Sequence, residues 1–144
     1  MSGASGRASL KWICSYQASV IFLAVVLLAV LVLSLIPHPE SVLGRFSMYD
    51  KAEHFAAYIV LGFLTLRAIN RRGVLPVVLA IASCAALGGL IEIIQPLVGR
   101  SKELTDFLVD LGGAAVGAVT AIVVAVIAFP IVRKDPAGQK GQKL

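Results

Sequence analysis

An all-α membrane fold, a compact bundle of four transmembrane helices, is the class this sequence predicts. Three observations predict it. The 144 residues are 58% apolar and only 15% charged, with a mean hydropathy of +0.91, where a soluble domain carries about 25% charged residues. The apolar residues fall in four long runs separated by short polar segments. The basic residues flank those runs and form no aromatic-interleaved patch, so they read as topology signals and no nucleic-acid partner is expected. A chain of this size is one domain. Cys14 and Cys84 fall in a juxtamembrane position and in the middle of an apolar run, so neither a disulfide nor a cysteine metal site is expected.

Residues 1–17 are small and polar, with Arg7 and Lys11, and are expected to fray. From Ala18 to Ile36 the chain is an almost unbroken run of Val, Leu, Ala and Ile, about 19 residues, enough to cross a roughly 30 Å hydrocarbon core. A signal peptide would have a shorter apolar region of about 7–15 residues and a small-residue cleavage site. Here the run ends in Ser34-Leu35-Ile36-Pro37-His38-Pro39, a helix stop, which favours a retained span.

A polar loop over 37–50 leads to the second span, from about Lys51 to Asn70. Its purely apolar part is near 16 residues, so Asp50 to His54 belong at headgroup level, and Arg67 can snorkel at the other end. Asn70-Arg71-Arg72-Gly73 is a tight basic turn. The third span starts near Val74, where Pro76 is tolerated in the first turn, and runs to about Gln95, before Pro96. A loop over 96–104 precedes the fourth span, from about Thr105 to Val132, and a basic tail follows. The expected organisation is therefore a polar cytoplasmic amino terminus (1–17), a membrane domain (18–132) and a basic cytoplasmic tail (133–144).

Orientation follows from the basic residues. Arg7, Lys11, Arg67, Arg71, Arg72, Arg133, Lys134, Lys140 and Lys143 belong to one side, nine in all, against Arg45, Lys51, Arg100 and Lys102 on the other. The positive-inside rule places both termini in the cytoplasm. Three polar islands then meet at the outer face.

The first island is Asp50-Lys51-Ala52-Glu53-His54-Phe55-Ala56-Ala57-Tyr58. On a helix it stacks Asp50, His54 and Tyr58, because residues four apart are vertical neighbours. Asp50 has two readings: the N-cap of a capping box with Glu53, or a site residue beside His54. Lys51 can equally sit among headgroups, and Tyr58 in an aromatic belt. The second island is Glu92 with Gln95 on the same face. A carboxylate inside an apolar helix costs about 2.5–3.5 kcal/mol even on mild insertion scales, so it is expected to face a cavity with a partner. The third is Arg100 with Asp106 and Asp110, which repeat the four-residue spacing; Arg100 is the expected counter-ion. The outer cluster sums six acids (Asp50, Glu53, Glu92, Glu103, Asp106, Asp110) against three bases (Lys51, Arg100, Lys102), an acidic cleft suited to binding cations, sharing protons or acid–base chemistry. His54, Glu92 and Asp106 are the catalytic candidates. Without HExxH-type spacing, neither a metal nor another cofactor is expected. Small residues at Gly113/Gly117 and Ala85/Gly89 mark close helix packing, and Gly88 lets a neighbouring backbone approach beside Glu92.

At these residues the chain resembles the VanZ-like family of small bacterial membrane proteins, related to the teicoplanin-resistance protein VanZ. The resemblance rests on Ser34-Leu35-Ile36-Pro37, then Asp50-Lys51-x-x-His54-x-x-x-Tyr58-x-x-Leu61-Gly62. It continues in Glu92-x-x-Gln95, Gly99-Arg100-Ser101, Asp106 and Gly113-Ala114-x-x-Gly117, covering about residues 31–117. Where the family often has Asn, this chain carries Asp110, which makes the site more negative. The resemblance implies an envelope role, with the lipid bilayer, a glycopeptide antibiotic or a lipid-linked wall component as partner. It supplies no agreed reaction.

Three functions follow as expectations. The first is a non-enzymatic envelope protein that engages a glycopeptide or lipid-linked wall component through Asp50, Lys51, His54, Tyr58, Glu92, Gln95, Arg100, Asp106 and Asp110. The second is a membrane-embedded acid–base enzyme with His54 and Glu92 as the catalytic pair, for which Ser101 is the only plausible nucleophile. The third is a small proton-coupled transporter using Glu92 and Asp110, although the inner half of the bundle lacks acids.

Overall fold

The computed structural model describes residues 3–36, 47–100 and 102–132, with side chains over 16–36, 51–100 and 102–127. Four long helices carry the chain, and no strand occurs among the described residues: α1 (Gly3–Leu35), α2 (Ser47–Ile69), α3 (Val74–Ile94) and α4 (Leu104–Val132). A short 3₁₀ turn, Gln95–Val98, continues α3. Each long helix contains a stretch apolar enough to cross a bilayer, at Tyr16–Leu35, Lys51–Ile69, Val74–Val98 and Leu104–Ile127. The protein is a multi-pass membrane protein.

The pattern of burial is that of a bundle immersed in lipid. Leu97 and Val74 are 84% and 80% exposed, while Glu92 and Asp110 are only 3% and 2% exposed. Water would favour the reverse, whereas hydrocarbon accepts exposed Leu and Val and drives ionisable groups inward. Two apolar clusters hold the helices together: Val30, Tyr58, Leu61, Cys84, Ile91 and Ala114 nearer the polar end, and Leu66, Ala80, Ala118 and Ala121 nearer the other.

The closest packing joins α2 to α4. A Cβ on Gly113 would stand 2.6 Å from the Phe55 carbonyl oxygen, one on Gly117 would overlap the Ile59 carbonyl, and one on Gly62 would overlap the Ala114 carbonyl. In lipid there is no hydrophobic drive between helices, so backbone-to-backbone packing at glycines supplies much of the attraction. This contact aligns the first turn of α2 with the first turns of α4.

Three expectations change. The segment 1–17 is helical from Gly3 onward, because its Ala, Leu, Lys and Trp residues continue a helix already nucleated by the span. Helix α2 opens at Ser47, so Asp50 is the fourth residue of the helix and does not cap it; the capping-box reading fails because the helix propagates one turn further. Tyr58, 1% exposed, belongs to the core and not to an aromatic belt. The side chain of Asp50, residues 37–46, Ser101 and the tail 133–144 lie outside the described residues.

Candidate functional site

Three elements deliver polar side chains to the same end of the bundle. The first turns of α2 bring Lys51 and His54, with Tyr58 a turn deeper. The end of α3 and its 3₁₀ turn bring Glu92 and Gln95, and the start of α4 brings Asp106 and Asp110. The convergence comes from connectivity: with antiparallel neighbours, the end of α3 and the starts of α2 and α4 share one face.

His54 Nδ1 stands 3.1 Å from Asp110 Oδ1, with side-chain exposures of 12% and 3%. An ionised Asp110 accepts from Nδ1–H and so fixes the ring's tautomer, making the other ring nitrogen the second proton site. Asp110 fits because Gly88 leaves room. A Cβ there would lie 3.0 Å from Asp110 Oδ2 and 3.1 Å from the Tyr58 hydroxyl. Gly88 therefore admits two polar side chains, not a neighbouring backbone.

Lys51 donates to Glu103 Oε2 at 2.9 Å and lies 3.3 Å from Asp106 Oδ1, within ion-pair distance without completing a hydrogen bond there. That ammonium holds the Glu103 carboxyl below the usual carboxylate range. Glu92 turns one oxygen, Oε2, to the backbone N–H of Glu103 at 3.0 Å. The carboxylate thus ties α3 to the residue just before α4 and satisfies a backbone donor at a helix entrance.

Arg100 departs from the expected counter-ion role. Its Nη1 donates to the carbonyls of Leu33 (3.4 Å) and Ser34 (3.2 Å), and Gln95 Nε2 also reaches the Ser34 carbonyl at 3.5 Å. The cause is local. Gly99 takes a left-handed conformation (φ 79), and the Arg100 N–H bonds back to the Gln95 carbonyl at 3.0 Å, which turns the chain toward the end of α1. The last carbonyls of α1 have no partner within their own helix, so a guanidinium there both caps them and meets the negative end of the dipole.

The structure thus brings Lys51, His54, Tyr58, Glu92, Asp106 and Asp110 into one cluster, and sets Gln95 and Arg100 beside it as clamps on α1. Sequence reasoning counted Glu103 in the acidic charge but missed it as a site residue, although it is the group that Lys51 and Glu92 share. Its position three residues before Asp106, at the mouth of α4, was the available signal. The carbonyl of Ser34 was invisible, because a backbone acceptor leaves no trace in residue type. Three buried oxygens, Tyr58 Oη, Glu92 Oε1 and Asp106 Oδ1, have no hydrogen-bond partner among the described residues. A buried polar atom left so costs about 1–3 kcal/mol. Among the described residues no three of His, Cys, Asp and Glu are placed to hold a metal ion.

A family model described as VanZ/LLP1 matches residues 15–127, which takes in all four spans and every residue of the cluster. Comparison with curated proteins and with solved structures returned no match.

Proposed function

The chain belongs to the VanZ/LLP1 family, and from that premise we propose a bacterial inner-membrane protein, both termini cytoplasmic, whose polar cluster faces outward. There it binds a glycopeptide antibiotic or a lipid-linked wall component. The observation that carries this reading is the buried Glu92 Oε1, which lacks a hydrogen-bond partner among the described residues, as does the Tyr58 hydroxyl, while Asp106 Oδ1 faces the Lys51 ammonium at 3.3 Å. Carboxylate oxygens accept hydrogen bonds, so the complementary ligand presents donors: sugar hydroxyls, amide N–H groups or an ammonium. Wall precursors and glycopeptides carry all three. A bare pyrophosphate would instead meet like charge.

The His54–Asp110 pair supports a second reading, acid–base catalysis on an envelope lipid or precursor. A carboxylate that orients an imidazole, with Glu92 and Asp106 nearby, is the arrangement a general base needs. Proton-coupled transport draws no comparable support, because the acids gather at one end of the bundle.

The test compares a deletion strain with strains carrying the wild-type gene or Glu92→Gln, scoring glycopeptide susceptibility and protein abundance in the membrane. The amide introduced by Glu92→Gln keeps an acceptor for the Glu103 N–H, so the variant inserts at normal abundance while losing the wild-type phenotype. Full activity at normal abundance would make Glu92 a polar packing group and remove the main support for binding and catalysis alike.

A further inference from the structure

At the opposite end of the bundle from the polar cluster lies a cavity of about 810 Å³, within the range of small-molecule sites, ~300–1,000 Å³. Its lining has two distinct parts. Toward the membrane surface stand Arg67, Arg71 and Arg72, with Asn70. Toward the bilayer interior the walls are mainly apolar, with Val77 from α3 and Ala121 and Ile122 from α4, and Ser19 of α1 beside them.

The fold positions the backbone that carries the arginines. Arg67 lies in the last turn of α2, its guanidinium 6.0 Å from the centre of the Phe63 ring. Arg71 and Arg72 sit on a turn whose shape is set by backbone geometry. Asn70 is left-handed (φ 51), with its N–H on the Leu66 carbonyl at 3.3 Å, and Gly73 has φ 119. Asn is the side-chain-bearing residue that best tolerates this helix ending, and Gly73 accepts an angle other residues resist. The turn sets where the two exposed arginine side chains leave the backbone.

We propose that this cavity is a binding site for an anionic phospholipid, with the headgroup phosphate on Arg71, Arg72 and Arg67 and the upper part of one acyl chain between α3 and α4. Guanidinium forks match phosphate oxygens, and a basic pocket between membrane helices suits an acidic headgroup. The apolar floor below the cations distinguishes a lipid from a soluble phosphate. The site is independent of the polar cluster at the other face.

The experiment uses the full chain in phosphatidylcholine nanodiscs and measures binding of added phosphatidylglycerol by thermal stabilisation and native mass spectrometry, with glycerol phosphate as the soluble control. Phosphatidylglycerol binds and phosphatidylcholine does not compete. The double variant Arg71→Gln/Arg72→Gln weakens binding about 25-fold, roughly fivefold per arginine. Ala125→Trp, an exposed lining residue, blocks the apolar part and weakens binding without altering charge. Equal binding by wild type and the arginine variant overturns the proposal. So does loss in the arginine variant with full binding in Ala125→Trp, which reduces the arginines to general surface attraction. Stabilisation by glycerol phosphate equal to that by the lipid also overturns it.

Discussion

His54 and Asp110, 56 positions apart in the chain, meet at 3.1 Å across the α2–α4 contact. Their pairing depends on Gly88, which leaves space for the Asp110 carboxylate, and on Gly113, which brings Phe55 and Tyr58 of α2 against α4. Asp110→Asn keeps an oxygen that accepts from His54, so it is expected to cost under about 1 kcal/mol. Asp110→Ala removes the acceptor and is expected to cost about 1–3 kcal/mol. Thermal unfolding of both variants in micelles checks this, and equal costs would mean the bond to His54 contributes nothing.

The glycine seam yields a second prediction. Gly117→Val places side-chain atoms against the Ile59 carbonyl and the Phe63 backbone, both part of a helix that cannot give locally. The expected loss is about 3 kcal/mol or more, the upper end for overpacking. Gly112→Ala is the control, since its Cβ meets only the Phe55 ring at 3.6 Å, an ordinary contact. Proteolysis of the two variants in micelles should separate them clearly.

Acid should erase the contribution of the Lys51–Glu103 pair. Because Lys51 lowers the Glu103 pKa from its ordinary 4.5, the stabilisation is fully present above that value. It is lost as the pH falls through the lower value of the folded state. Wild type should exceed Glu103→Gln in thermal stability at neutral pH, with the gap closing in acid and narrowing with salt, since the Glu103 side chain is 46% exposed. A gap that persists unchanged in acid would remove the ion pair as its cause.

Topology can be read by labelling. Cysteines placed at Lys102 and Arg72, both exposed, lie at opposite ends of the bundle. An impermeant thiol reagent should modify the first from outside intact cells and leave the second protected. The reverse result would invert the orientation and turn the polar cluster to the cytoplasm.

Four membrane helices, their approximate limits and the gathering of Glu92, His54, Asp106 and Asp110 at one end could all be read from the residues alone. The reason is that hydrocarbon imposes a length on every apolar run, and the alternation of spans assigns each polar island to a face. The Gly113/Gly117 spacing likewise announced close packing, whereas Gly89 of the Ala85/Gly89 pair meets only the Phe107 ring at an ordinary 3.7 Å. Which atoms meet was decided only by the tertiary arrangement. Residue types made Arg100 a partner for carboxylates, yet the left-handed Gly99 aims it at the last carbonyls of α1. Lys51 takes Glu103 and Asp106, His54 takes Asp110, and Glu92 takes a backbone N–H. Charge says that partners are needed, but helix rotation and interhelical distance choose among several equally charged ones. Here those two quantities follow from where Gly62, Gly113 and Gly117 let the backbones of α2 and α4 touch.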